Sequence, residues 1–196
     1  YTEIGKGLLE ILEALNVDAF IPKKQLCCGA PAYFTGDFAT VDHNAKKNIV
    51  YFESFIDEVE AIIIPEATCS AMIKIDYEHF FHDQPEWLAR AQKLKSKIFM
   101  ATEWLEQKTE LKALLASKGR NDLSVTYHDP CHARKMQGVY KEPRALVGQN
   151  YTITEMSDPN ACCGFGGVTM QTENFHFAQA AGKPKAAMIA KTGAKV

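Results

Sequence analysis

Four of the six cysteines of this 196-residue chain stand in two adjacent pairs, each followed by a glycine. The two triplets are Cys27-Cys28-Gly29 and Cys162-Cys163-Gly164. Thiolates bind iron–sulfur clusters, and a cluster with several irons accepts ligands from adjacent residues more easily than a single small cation does. A glycine, which has no Cβ, lets the backbone approach a cluster closely enough for N–H groups to donate to sulfur. The pattern therefore favours an iron–sulfur centre.

The remaining cysteines extend this pattern, because Cys69 follows the first pair and Cys131 precedes the second. We predict that all six cysteines bind the iron of a cluster: Cys27, Cys28, Cys69, Cys131, Cys162 and Cys163. His128, His132 and Arg134 lie beside Cys131 in "YHDPCHARK". They are expected around the ligands, as hydrogen-bond partners or compensating charges, together with Gly29 and Gly164. The sequence names no catalytic residue.

Other uses of these cysteines are open. A structural zinc site is the main alternative, although the chain has no C-x₂-C pair of the kind such sites use. Nucleophilic catalysis by Cys131 with His128 or His132 lacks the remaining parts of a triad. A single cysteine such as Cys69 is often just a small buried apolar residue. Adjacent cysteines close a strained ring, and a core of this size needs no disulfides, so reduced thiols are expected.

The elements that position the cysteines alternate between helix and strand. Apolar spacing predicts helices over 3–15, 39–58 and 141–147 and a charged helical segment over 85–118. Strands are predicted over 17–22, 61–64, 123–128 and 151–156. A linker is predicted at 118–122 and a loop over 129–135. We predict an α/β fold of two pseudo-repeated open-sheet (Rossmann-like) modules, 1–120 and 121–196, with a helical excursion between them. The cysteines should lie at the C-terminal ends of strands, where α/β sites form.

Composition excludes several functional classes. The 22 basic and 24 acidic residues give a net charge of −2 without a basic stripe, which argues against nucleic-acid binding. No apolar run approaches the roughly 20 residues of a membrane-spanning helix. We expect a cytoplasmic protein, with association to a membrane through partners left open.

The repeated CCG, "PEATC" at 65–69 and the run "HDPCHARK…KEPRAL…CCGFGG…TGAKV" resemble the cysteine-rich CCG-domain family over essentially the whole chain. Its members include the B subunit of heterodisulfide reductase, the glycolate oxidase iron–sulfur subunit, the anaerobic glycerol-3-phosphate dehydrogenase C subunit and lactate utilisation protein A. In that family each half contributes a cysteine, then a CC pair, then a C-x-x-C or its remnant. The resemblance implies [4Fe-4S] clusters, held in the heterodisulfide reductases in an unusual non-cubane form.

The resemblance implies an iron–sulfur electron-transfer subunit of a multi-subunit oxidoreductase that oxidises a 2-hydroxy acid such as lactate or glycolate. Its partners would be flavin or further iron–sulfur subunits. Heterodisulfide reduction is the alternative within enzymes, and a zinc-stabilised scaffold without redox activity is the alternative outside them. The donor, the acceptor and the partner chains cannot be named from the sequence.

The sequence departs from the family pattern at three places. Glu66 stands where a full C-x-x-C would have its first cysteine, as in the degenerate lactate and glycolate type. When the halves are laid over each other through their CCG triplets, the counterpart of Cys131 falls before Tyr1 and that of Cys69 after Val196. Each half then shows three cysteines, one short of a four-thiolate site. We expect an absent or incomplete cluster in the chain as printed, with mobile CCG loops.

Overall fold

The computed structural model of the chain describes residues 2–196, except for the side chain of Met170. The fold is mixed α/β and mostly helical with small parallel sheets, which confirms the predicted fold class at this level. The chain divides into two compact units, the first ending at Thr109 and the second comprising Glu110–Val196. Among the described residues, no helix has both the length and the apolar character that crossing a membrane requires.

The first unit surrounds a two-stranded parallel sheet with helices. Its α-helices are α1 Thr2–Ala14, α2 Ala30–Thr35, α3 Phe38–Glu53, α4 Ala67–Ala71, α5 Tyr77–Phe80, α6 Pro85–Lys95 and α7 Ala101–Lys108. A 3₁₀ turn, Ile56–Glu58, follows α3, and a π-helical stretch, Met72–Asp76, joins α4 to α5. Strands β1, Ile62–Ile64, and β2, Ile98–Met100, pair in parallel with Ile62 opposite Ile98.

Helix α3 supplies much of the core of the first unit. Val41, Ala45, Ile49 and Phe52 recur at spacings of three and four residues, which places them on one face, and all four are buried. Cys28 belongs to the same apolar cluster. The first cysteine pair is therefore seated directly on the core of its unit.

The second unit is also built on a two-stranded parallel sheet. Its α-helices are α8 Leu111–Ser117, α9 Cys131–Gln137, α10 Lys141–Val147 and α11 Phe175–Thr192, with 3₁₀ turns at Gly167–Met170 and Thr172–Asn174. Strands β3, Ser124–Val125, and β4, Thr152–Ile153, pair in parallel. The backbone of Lys195 and Val196 donates to the Ser124 carbonyl, so the end of the chain lies beside β3.

Several predicted elements are confirmed, with shorter strands than expected. The helices predicted at 3–15, 39–58 and 141–147 correspond to α1, α3 and α10, and the strands predicted at 61–64, 123–128 and 151–156 correspond to β1, β3 and β4. Cys69, Cys131 and the second pair follow β1, β3 and β4 by five to nine positions in the chain, whereas no strand precedes the first pair within residues 2–26.

Two predicted elements are wrong, and a third is confirmed only in part. Residues 17–22 form no strand, because the chain after them is tied to α3 by side chains: Lys23 N–H donates to the Tyr51 hydroxyl and Leu26 N–H to Asn48. The segment 85–118 is helical as predicted at α6, α7 and α8, but its apolar run Ile98–Met100 pairs with β1 as a strand. The predicted loop at 129–135 instead contains the start of α9, which begins at Cys131.

Candidate metal centre

The first CCG loop, residues 27–29, turns from an extended segment into α2. Gly29 caps α2 with φ of 91°, a left-handed conformation that glycine adopts without strain. Cys28 is 5% exposed and faces the core, whereas Cys27 is exposed to solvent. The adjacent thiols of the first pair therefore lie in different environments.

Two buried polar side chains hold the backbone of this loop. Asn48, which is 1% exposed, accepts from Leu26 N–H at 2.8 Å and donates to the carbonyl of Cys27 at 3.2 Å. The hydroxyl of Tyr77, which is fully buried, donates to the carbonyl of Cys28 at 2.9 Å. Burial strongly raises the pKa of Tyr77, so this hydroxyl stays protonated as a donor. The backbone of the loop is thus held by two side chains that are themselves buried.

Cys69 reaches the first pair from α4. Glu66 caps this helix and its carboxylate accepts from Cys69 N–H at 2.6 Å, which fixes the start of α4. The sulfur atoms of Cys28 and Cys69 are 3.3 Å apart. Their hydrogen bond lowers the pKa of Cys28 to about 7 despite burial, and it raises the pKa of Cys69. The thiol of Cys28 is thereby brought toward the thiolate form that binds metals.

The cysteines of the second unit are all exposed. Cys131 begins α9, and its sulfur lies 3.5 Å from Nδ1 of His132. In the second CCG loop, residues 162–164, the backbone N–H of Gly164 donates to the sulfur of Cys162 at 3.3 Å. This contact is of the N–H to sulfur kind expected around a bound cluster.

The second CCG loop packs on α11 at two glycines. A Cβ on Gly164, where φ is 80°, would lie 2.1 Å from the carbonyl oxygen of Ala178. A Cβ on Gly182 would lie 2.8 Å from the carbonyl oxygen of Cys163. Backbone meets backbone here, so a side chain at either position would push the loop away from the helix.

A charge cluster anchors the segment that leads to Cys131. The carboxylate of Asp129 is fully buried and accepts from Arg134 and, at 2.6 Å, from Nη1 of Arg144. Arg144 also binds Glu155. Burial opposes ionisation, yet the hydrogen bonds from the two arginines hold the pKa of Asp129 below its usual value. Arg134, predicted near the ligands, thus binds a carboxylate of its own unit.

His128 and Lys185 lie beside Asp158 and Pro159, in the segment that leads to the second CCG loop. Nδ1 of His128 is buried and, among the described residues, has no hydrogen-bond partner. Burial and the charge of Lys185 lower the pKa of His128. Lys185 is 3% exposed, and its ammonium group donates to the carbonyls of Asp158 and Pro159.

The predicted ligands come together in part. Cys28 and Cys69 are in contact, whereas within residues 2–196 no three Cys, His, Asp or Glu side chains are grouped so as to hold one metal ion. Cysteine thiolates bind zinc as well as the irons of a cluster, so the contact between Cys28 and Cys69 is compatible with either group.

Comparison with known proteins identifies the family. The model of the CCG cysteine-rich domain matches residues 1–74 and 125–196, which is most of the chain and includes all six cysteines. The chain belongs to the CCG cysteine-rich domain family. Each matched segment contains one CCG triplet and one further cysteine, so the repeat seen within the sequence is a repeat of this domain.

Curated relatives of this CCG protein carry the name lactate utilization protein A. The chain is 35% identical to the one from Bacillus cytotoxicus over 85% of this chain and 67% of that protein. It is 36% identical to the one from Geobacillus kaustophilus over the same shares. The one from Bacillus subtilis is 30% identical over 100% of this chain and 79% of its own length.

The residues of this CCG protein fit an iron–sulfur group in donor chemistry. Each unit offers three free thiols, one fewer than a four-thiolate site, and the second unit adds an N–H donor to sulfur at Gly164. The donors are soft and partly preassembled, as such a group requires.

Sequence reasoning misses the residues that support the loops. Asn48 stands on the apolar face of α3, and a polar residue at such a position signals a buried hydrogen-bonding role. The sequence around Tyr77 indicates only a core residue and gives no sign of its hydrogen bond to the loop. Gly182 and Lys185 lie in a segment without any sequence signal, and only the packing of α11 shows their role.

Proposed function

We propose that this chain is an iron–sulfur electron-transfer subunit of a multi-subunit oxidoreductase that serves lactate oxidation. The observation that carries the proposal is the paired CCG loop, repeated in both matched segments and built around a left-handed glycine in each unit. The relatives named for lactate utilization support lactate as the substrate of the assembly. A bound [4Fe-4S] cluster would supply one-electron transfer.

The cysteines of each unit would hold such a group. Cys27, Cys28 and Cys69 would do so in the first unit, and Cys131, Cys162 and Cys163 in the second. Asn48 and Tyr77 keep the first loop in place, and Gly164 directs its N–H to sulfur in the second. The exposed sulfurs of the second unit leave this loop open to a partner subunit that gives or takes electrons.

We also propose that the two units are copies of one open-sheet, Rossmann-like module. Both contain a parallel strand pair, and their CCG glycines share the left-handed conformation, with φ of 91° at Gly29 and 80° at Gly164. A repeat would give each unit the same ligand topology.

The test uses protein purified without oxygen together with its co-purifying subunits. Lactate should reduce the sample and generate the EPR signal of a reduced cluster, and glycolate serves as the second substrate arm. A sample that dithionite reduces but neither acid reduces would contradict the role in 2-hydroxy-acid oxidation. Reduction by glycolate alone would contradict lactate as the substrate.

A further inference from the structure

Helix α11 turns one face toward the second CCG loop. Ala178, Gly182 and Lys185 recur at spacings of four and three residues, which places them on that face. Ala178 and Gly182 meet the backbone of Gly164 and Cys163 so closely that neither glycine tolerates a Cβ. The side chain one turn beyond this contact is Lys185.

Lys185 is buried, and its ammonium group binds the segment that leads into the second pair. Its Nζ atom donates to the carbonyl of Asp158 at 3.1 Å and to that of Pro159 at 2.8 Å, just before the second pair. Among the described residues, no carboxylate forms a salt bridge with it. Two neutral carbonyls satisfy hydrogen bonds but leave the positive charge uncompensated in a buried site.

The charges around Lys185 point to the cysteines as the compensating group. Burial lowers the pKa of its ammonium group, and the negative charges of Asp158, Asp129, Cys163 and Cys162 act in the opposite direction. Asp129 already binds two arginines, and no salt bridge among the described residues joins Asp158 to Lys185. The second pair begins three positions after Pro159, so a group bound by Cys162 and Cys163 would bring negative charge to this buried cation.

We infer that Lys185 is a charge-compensating residue that stabilises an anionic, thiolate-bound cluster at the second CCG loop and makes it easier to reduce. The inference rests on the proposed iron–sulfur function and adds a determinant of the potential to it. Net charge and the groups around the sulfurs set the reduction potential of such clusters. A nearby fixed positive charge favours the reduced form, which carries one more negative charge.

The test compares three variants of the full chain purified without oxygen. Lys185→Met removes the charge and keeps the volume, Lys185→Arg keeps the charge, and Lys183→Met removes an exposed lysine of the same helix as the control. The midpoint potential of the cluster is measured by redox titration with EPR detection. We expect a more negative potential in Lys185→Met and a potential near that of the wild type in the other two variants.

Several outcomes would overturn the inference. If Lys185→Met and the wild type share one potential, the charge plays no part. If Lys185→Met and Lys185→Arg both lose the cluster, the side chain serves packing instead, whereas loss in Lys185→Met with retention in Lys185→Arg supports the charge. A wild-type protein without iron and sulfide would overturn the proposed function itself, and this inference with it.

Discussion

At the scale of single residues, Asn48 is the side chain on which the first CCG loop depends most. It satisfies the N–H of Leu26 and the carbonyls of Leu26 and Cys27 with a side chain that is itself buried. Asn48→Ala leaves these groups unpaired, so we expect a loss of about 2–3 kcal/mol in the free energy of unfolding. Urea denaturation measures this loss.

The matched control for this change lies on the same helix. Asn44→Ala removes a half-buried asparagine that makes no side-chain hydrogen bond among the described residues, and it should change the stability by no more than about 0.5 kcal/mol. Equal losses in the two variants would contradict the role assigned to Asn48.

The hydroxyl of Tyr77 allows a finer test because its ring can be kept. Tyr77→Phe deletes the donor to the Cys28 carbonyl and retains the aromatic packing. We expect the free energy of unfolding to fall by about 1–2 kcal/mol. Tyr33→Phe removes a half-buried hydroxyl of the same unit that has no hydrogen bond among the described residues, and it should cost little. A Tyr77→Phe protein as stable as the wild type would show that the loop does not need this donor.

Asp129 should make the second unit sensitive to acid. Its pKa is held below the ordinary carboxyl value in the folded chain, so its ionised form stabilises the fold above about pH 4 and this contribution is lost as the pH falls further. Asp129→Asn should lower stability at pH 7 by about 3 kcal/mol, because two arginines lose their charge partner.

The pH dependence separates this role from simple packing. The difference in thermal midpoint between wild type and Asp129→Asn should shrink from pH 7 to pH 3, whereas Asp122→Asn, an exposed change in the same unit, should differ little from wild type at pH 7. A difference that stays constant over this range would rule out the ionised carboxylate as the cause.

At the scale of elements, the contact between α11 and the second CCG loop depends on the absence of side chains. A glycine-to-alanine change inside a helix normally stabilises it by about 0.5–1 kcal/mol, and Gly7→Ala in α1, where nothing lies within 4 Å of the added Cβ, should do so. Gly182→Ala should instead destabilise the protein by about 1–3 kcal/mol, because its Cβ meets the Cys163 carbonyl. Denaturation curves of both variants give the sign of each change in stability. A Gly182→Ala variant more stable than the wild type would contradict the contact.

How far the sequence predicts these elements depends on whether their causes are local. The amphipathic spacing of α1 and α3 and the apolar run of β1 are local signals, and they predict their elements correctly. The strand at Ile98–Met100 escapes prediction because three apolar residues inside a charged helical pattern become a strand only when β1 is alongside. The predicted strand at 17–22 fails for the converse reason, since the chain after it is bound by side chains of α3.

The same distinction between local and non-local causes applies to the residues of the candidate site. The six cysteines and both glycines could be predicted, because their types and repeat are visible in the chain itself. The side chains that hold the loops could not be predicted, because Asn48, Tyr77 and Lys185 act through contacts over 21 to 49 positions of sequence. Those contacts exist only after the helices have packed.

At the scale of the whole molecule, both CCG units serve one kind of chemistry in the proposed function. The family match covers the cysteines of both units, and each unit contains three free thiols. A protein that uses these thiols for a cluster must contain inorganic sulfide as well as iron. A scaffold held by zinc would contain neither.

The most direct measurement is therefore the content of iron, acid-labile sulfide and zinc in the full-length protein purified without oxygen, together with its EPR spectrum. We expect iron and sulfide in comparable amounts and a cluster signal on reduction, with both contents falling in Cys28→Ser and Cys163→Ser but not in Asn44→Ala. Zinc without sulfide, or iron and sulfide unchanged in both cysteine variants, would contradict the central claim that the CCG cysteines hold an iron–sulfur cluster.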